Sequence, residues 1–102
     1  MTVFSLTLQP TYFLQGFFNV TVDYDAYVRQ QEGPIHLILG NDGEQTIEGR
    51  IDRRSNTNGT ARVHGGTRLR DWFGANFQIM DSVDVDLSSP DLIQLGRPGS
   101  RR

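Results

Sequence analysis

The chain has 102 residues and a net charge of −2, set by ten basic and twelve acidic side chains; every basic one is an arginine. Hydrophobic residues make up 36%, enough for one modest core in one domain. The lack of cysteine excludes disulfides, thiol nucleophiles and cysteine-held zinc. The lack of lysine excludes Walker-type phosphate loops, Schiff-base chemistry and nuclease sites built on a catalytic lysine. His36 and His64 stand too far apart in sequence to suggest a multi-histidine metal site. The expectation is a chain with no catalytic site, no metal and no cofactor.

Turn signals at Gly33-Pro34, Asn41-Asp42-Gly43, Asn58-Gly59, Gly65-Gly66 and Ser88-Ser89-Pro90 separate short apolar or alternating runs, the pattern of an all-β barrel or sandwich. Val3 to Gln9 alternates around Phe4, Leu6 and Leu8, and Pro10 ends the run. A second strand is predicted over 17–22, rich in aromatic and β-branched residues. A short helix follows over 23–28, with Asp23 as N-cap.

Strands are then predicted over 35–39, 46–54 and 60–64. In the middle one Ile47, Gly49 and Ile51 face one way and Glu48, Arg50 and Asp52 the other. A helix is predicted over 67–77, because Leu69, Trp72, Phe73 and Phe77 fall on one face, with Thr67 as N-cap. Strands over 82–87 and 92–95 close the chain as a hairpin around a polar turn. Residues 96–102 have no apolar anchor and read as a disordered tail or linker beyond a domain of residues 1–95.

No run approaches the roughly 20 apolar residues of a membrane span. Met1 to Ser5 carries no basic segment or signal core, so a soluble intracellular chain is expected.

The charge is unevenly placed. Between Arg50 and Arg70 lie six arginines and one acid, Asp52; this stretch is +5 and the remainder −7. Arginine and asparagine read base edges in a duplex, and a two-stranded ribbon fits the major groove. Flanking arginines and hydroxyls would hold phosphates. The candidate contacts in this hairpin are Arg50, Asp52, Arg53, Arg54, Asn56, Asn58 and Arg62. Five phosphate-bound arginines would give a salt slope near −4 to −5, at about −0.9 per contact.

Arg53 and Arg54 are adjacent and point to opposite faces of an ideal strand. The alternation puts Arg53 inward, and a twist or bulge is expected before the tip. Other candidates are weaker. Asp84 and Asp86 share one strand face that reads as solvent-facing rather than metal-binding. His64 has no partner that the sequence assigns. Tyr12, Phe13, Phe17 and Phe18 would form an exposed stacking platform in a single-strand or RNA binder. A protein-interaction β-domain is the remaining alternative.

The order strand, strand, short helix, three strands, amphipathic helix and closing hairpin, with its densest stretch from Gly65 to Phe77, resembles the B3-type DNA-binding pseudobarrel. That fold serves plant transcription factors and the recognition or effector domains of some restriction endonucleases. The likeness spans nearly all of residues 3–95. Where the family often carries Gly-Asp before the next strand, this chain has Met80-Asp81.

The resemblance implies a mainly β, seven-stranded open pseudobarrel with two short helices. It implies a duplex gripped in the major groove by two arms. One would be the connection from Gln9 to Gly16, offering Gln9, Thr11, Tyr12 and Gln15; the other, the hairpin from Arg53 to Asn58. The implied partners are double-stranded DNA and a nuclease domain of the same parent protein, in a prokaryotic cytoplasm.

Overall fold

The computed structural model describes residues 2–89 and 91–98, with Ser88 as backbone alone. The chain is mainly β, a seven-stranded mixed sheet curled into a half-barrel with three short helices. In chain order the elements are β1 (Val3–Thr7), α1 (Pro10–Gln15), β2 (Phe17–Asn19), a 3-10 helix (Val22–Tyr27), β3 (Gly33–Leu39), β4 (Gln45–Asp52), β5 (Arg62–His64), α2 (Gly66–Asn76), β6 (Ser82–Ser89) and β7 (Leu92–Gly96). The sheet order is β1-β6-β7-β3-β4-β5-β2. All neighbours run antiparallel except β3 and β7.

The strand alternation produces the core. Ile35, Leu37 and Leu39, Ile47 and Ile51, Val83, Val85 and Leu87, and Phe4 and Leu6 all turn inward and are buried. Helix α2 adds the face read from its spacing: Leu69, Trp72 and Phe73 are buried, and Phe77 just beyond the helix meets Trp72 edge-on at 5.2 Å. Phe17 and Phe18 are also buried, and Tyr12 and Phe13 pack against the core. These four rings therefore offer no exposed stacking platform.

The first connection departs from the sequence expectation. Pro10 does not lead into an open loop; it occupies the first turn of α1, where a missing N–H is harmless. Gly16 ends α1 in the left-handed region at φ 76, its N–H bonded to the Tyr12 carbonyl. A Cβ there would come within 2.2 Å of the Gly66 carbonyl oxygen, so α1 is pressed against the start of α2. The fold thus holds a helix more than the two expected.

Other boundaries move for local reasons. β2 stops at Asn19 instead of residue 22, because the chain turns at Thr21 into the 3-10 helix; Asp23 does not cap it. Helix α2 begins at Gly66, with Gly65 at its N-cap and no side-chain cap, so Thr67 lies inside it. β4 ends at Asp52 without running on to residue 54. Asp84 is half-buried and Asp86 buried, so their shared face is not simply solvent-facing.

Ordered contacts continue past residue 95. Gly96 closes β7, and Asn41 clamps Arg97, accepting from its N–H at 2.8 Å and donating to its carbonyl at 3.2 Å. The Arg97 guanidinium lies 5.6 Å from the Phe77 ring centroid. Of the proposed tail, residues 99–102 lie outside the described residues. Among the described residues no helix is long and apolar enough to cross a membrane.

Candidate functional site

The same alternation that fills the core builds an outer face on β4, β5 and β2. Opposite Ile47 and Ile51, β4 presents Glu48, Arg50 and Asp52; opposite Val63, β5 presents Arg62 and His64. Register then aligns these side chains in rows. Arg50 pairs across to His64, and His64 to Phe17; Asp52 pairs to Arg62, and Arg62 to Asn19. Pro34 of β3 extends the first row beside Arg50.

Two projections flank this ribbon. β2 and β5 pair over three residues each, roughly 10 Å of strand. α1 ends next to Phe17, at the His64 end; Gln9, Thr11 and Gln15 are exposed on it and Tyr12 is half-buried, edge-on to Phe17 at 5.2 Å. The loop between β4 and β5 rises at the other end, beside Arg62 and Asn19. Along β3, β4 and the β5–α2 junction the surface is grooved in two adjoining hollows of ≈ 570 and ≈ 490 Å³ that share Arg50 and His64.

The loop is closed by its own side chains, and this corrects several site assignments. Asp52 caps it: its carboxylate accepts from the Arg54 N–H at 2.8 Å, the Ser55 N–H at 3.3 Å and the Ser55 hydroxyl at 2.5 Å. This cap, not a bulge, ends β4. The Ser55 hydroxyl, then the Arg54 N–H, hold the Asp52 carboxyl far below the usual carboxylate range against the opposing effect of burial, and His64 and the Ser55 N–H add smaller contributions. His64 Nε2 lies 3.4 Å from the same carboxylate. The Ser55 hydroxyl points at Asp52 and not at His64, so the order of a serine triad is not met.

Asn56 turns back into the ribbon, donating to Asn19 Oδ1 and to the Thr60 carbonyl, each at 3.1 Å. Its own oxygen accepts from Arg62 Nη2 at 3.2 Å. Arg62 also bonds Asn19 at 3.1 Å and stacks 4.6 Å over the Phe17 ring. Asn58 Oδ1 accepts from the Thr60 N–H and hydroxyl. Asn56, Asn58 and Arg62 therefore shape the loop from within, although Asn58 itself stays exposed.

Arg53 is drawn wholly inward. Its Nη1 reaches both Asp25 oxygens, at 3.0 and 2.8 Å, and the Gly59 carbonyl at 3.2 Å. Its Nη2 donates to the carbonyls of Val28 and Arg29. Arg53 is thus withdrawn from the candidate contacts, on the inner side that the alternation indicates. Its neighbour Arg54 is the opposite case, its side chain 90% exposed and its one ion pair, to Glu32, at 3.4 Å. Arg50 is exposed and has no hydrogen-bond or ion-pair partner among the described residues.

The expected +5 patch is accordingly weaker in space than in sequence. Asp25 and Glu32 approach Arg53 and Arg54 from other elements, and Asp71 pairs with Arg70 at 3.2 Å. Asp25, Glu32, Asn19 and His64 were assigned no part in the site by the sequence. Their partners stand up to 43 residues away, and no motif spacing encodes such a contact. Comparison with protein-family models, with curated proteins and with solved structures finds no match.

Proposed function

We propose that the chain is a sequence-specific double-stranded DNA-binding domain, the target- or effector-site recognition part of a restriction endonuclease in a prokaryotic cytoplasm. Cleavage belongs to another domain of the parent protein. One observation carries this reading: the outer β4–β5–β2 face lies between α1 and the β4–β5 loop and offers an unpartnered arginine at its centre, Arg50, with Arg54 on the loop 90% exposed beside its ion pair to Glu32. A groove flanked by two projections suits a double helix, whose major groove admits a narrow ribbon. Exposed Gln9, Thr11 and Gln15 on the opposite projection can donate to and accept from base edges or phosphates.

The roles follow from position. Arg54, exposed where β4 gives way to the loop, is the base-reading side chain; Arg50, on the ribbon, holds a phosphate. The test is selection of duplexes from a random pool, followed by titration of a single-base-substituted panel. Arg54→Ala should relax discrimination at one base pair by about 1–3 kcal/mol, whereas Arg50→Ala should weaken all duplexes alike. Failure of the pool to enrich, with the chain folded, would refute duplex recognition and leave a protein-interaction domain as the reading.

A further inference from the structure

Arg53 and Arg54 are chemically identical neighbours at the point where β4 becomes a loop. On extended backbone adjacent side chains face opposite ways, so a slip of one residue would exchange them. The alternation of β4 aims Arg53 inward, but strand pairing ends at Asp52, so beyond it the surroundings hold that choice. Asp25, on the 3-10 helix, places a carboxylate beneath the loop and binds it at both ends: Oδ1 accepts from the Ala61 N–H at 2.8 Å, and both oxygens accept from Arg53 Nη1.

The inward guanidinium is met by acceptors from Asp25, Val28, Arg29 and Gly59, and it is largely hidden, with 13% of the side chain exposed against 20% for Asp25. Glu32 secures the same register from the other side, accepting from the Arg53 N–H at 2.8 Å while lying 3.4 Å from Arg54 Nε. Arg53 Nε is buried without a hydrogen-bond partner, so the pocket satisfies the fork of the guanidinium but not its stem. A buried ion pair adds little net stability, and fixing register is its best-attested use.

We propose that Asp25 sets the register of the β4–β5 loop: by drawing Arg53 inward it selects Arg54 as the arginine presented on the outer face. The part of this that concerns DNA rests on the duplex-binding reading; the choice of register does not. Asp25 is a positioning residue that acts through the loop and touches no ligand.

The experiment uses the full chain with labelled arginine side chains. In the wild type the buried Arg53 Nε–H should exchange slowly with water and that of Arg54 quickly. In Asp25→Asn, which keeps an acceptor for Ala61 but removes the charge, the Arg53 signal should exchange at least about tenfold faster, as expected when the ion pair that closes the site is lost. In Arg53→Gln, Asp25 should recruit the remaining arginine, and a slowly exchanging Nε–H should appear from Arg54. An unchanged Arg53 signal in the first variant, or a fast Arg54 signal in the second, overturns the proposal.

The DNA arm is separate. Arg54→Gln should lower affinity for a selected duplex about tenfold in the wild-type background but under about threefold beside Asp25→Asn, where Arg53 can replace it. Equal losses in both backgrounds would overturn the selection role. A wild-type chain that binds no duplex would refute the duplex reading, with the exchange data still deciding the register.

Discussion

Met80 is the sole non-glycine with positive φ among the described residues, at 75°. It sits third in the turn Gln78–Asp81, closed by the Asp81 N–H to the Gln78 carbonyl at 3.0 Å, where a type II turn requires left-handed backbone. Its own N–H is fixed to the Leu8 carbonyl at 2.7 Å, so the turn cannot relax without losing the tie to the residue just past β1. An L-residue in that conformation costs roughly 1–2 kcal/mol, and glycine avoids it.

Against this, glycine loosens the unfolded chain, which returns about 0.4–1 kcal/mol. Met80→Gly should therefore be more stable than Met80→Ala by about 0.5–1 kcal/mol, both variants having lost the same half-exposed side chain beyond Cβ. Gly74 supplies the opposite sign. It lies inside α2, its φ is not positive, and a Cβ would meet nothing within 4 Å. Gly74→Ala should stabilise by about 0.8–1 kcal/mol.

Thermal melts resolve both, since 1 kcal/mol moves Tm by about 4–8 °C in a domain of this size. If Met80→Ala melted at or above Met80→Gly, the left-handed turn would not exist in solution and the argument would fail.

Trp72→Ala should destabilise by about 3–5 kcal/mol, and wild-type tryptophan emission should be blue-shifted, because the indole is buried against Phe73 and Phe77; emission like that of free tryptophan would refute the packing. The log–log salt slope of duplex binding should be about −2 to −3, near −0.9 for Arg50 and for each of about two further phosphate contacts, because Arg53 is paired within the protein. A slope steeper than about −4 would mean that arginines paired within the protein are released on binding. Asp52, whose folded-state pKa is depressed, adds stability that is present above its unfolded value of about 3.9 and is lost as pH falls through the depressed one. Its carboxyl carbon shift should stay flat from about pH 7 to about pH 4 in the wild type. Ser55→Ala, which removes the largest cause, should move the titration upward, and an unmoved curve would refute the cap.

The sequence by itself determined the strands, their inward faces and the apolar stripe of α2. Those depend on periods of two and 3.6 that any folded chain must obey to bury Ile47, Ile51, Leu69 or Phe73. The parity of β4 was legible too: counting from Ile47 and Ile51 places Arg53 on the inner side, where the structure has it.

What counting could not supply was the partner at the end of each side chain. Asp25 meets Arg53 from 28 residues away, Asn19 meets Asn56 from 37, and Arg62 meets Asn19 from 43. Base-reading and loop-building asparagines look alike in a sequence, because both need the same amide. Tertiary structure alone decided between them, since a hydrogen-bonding group is committed only when its acceptor or donor is brought within about 3 Å, and that approach is set by sheet register across the whole chain.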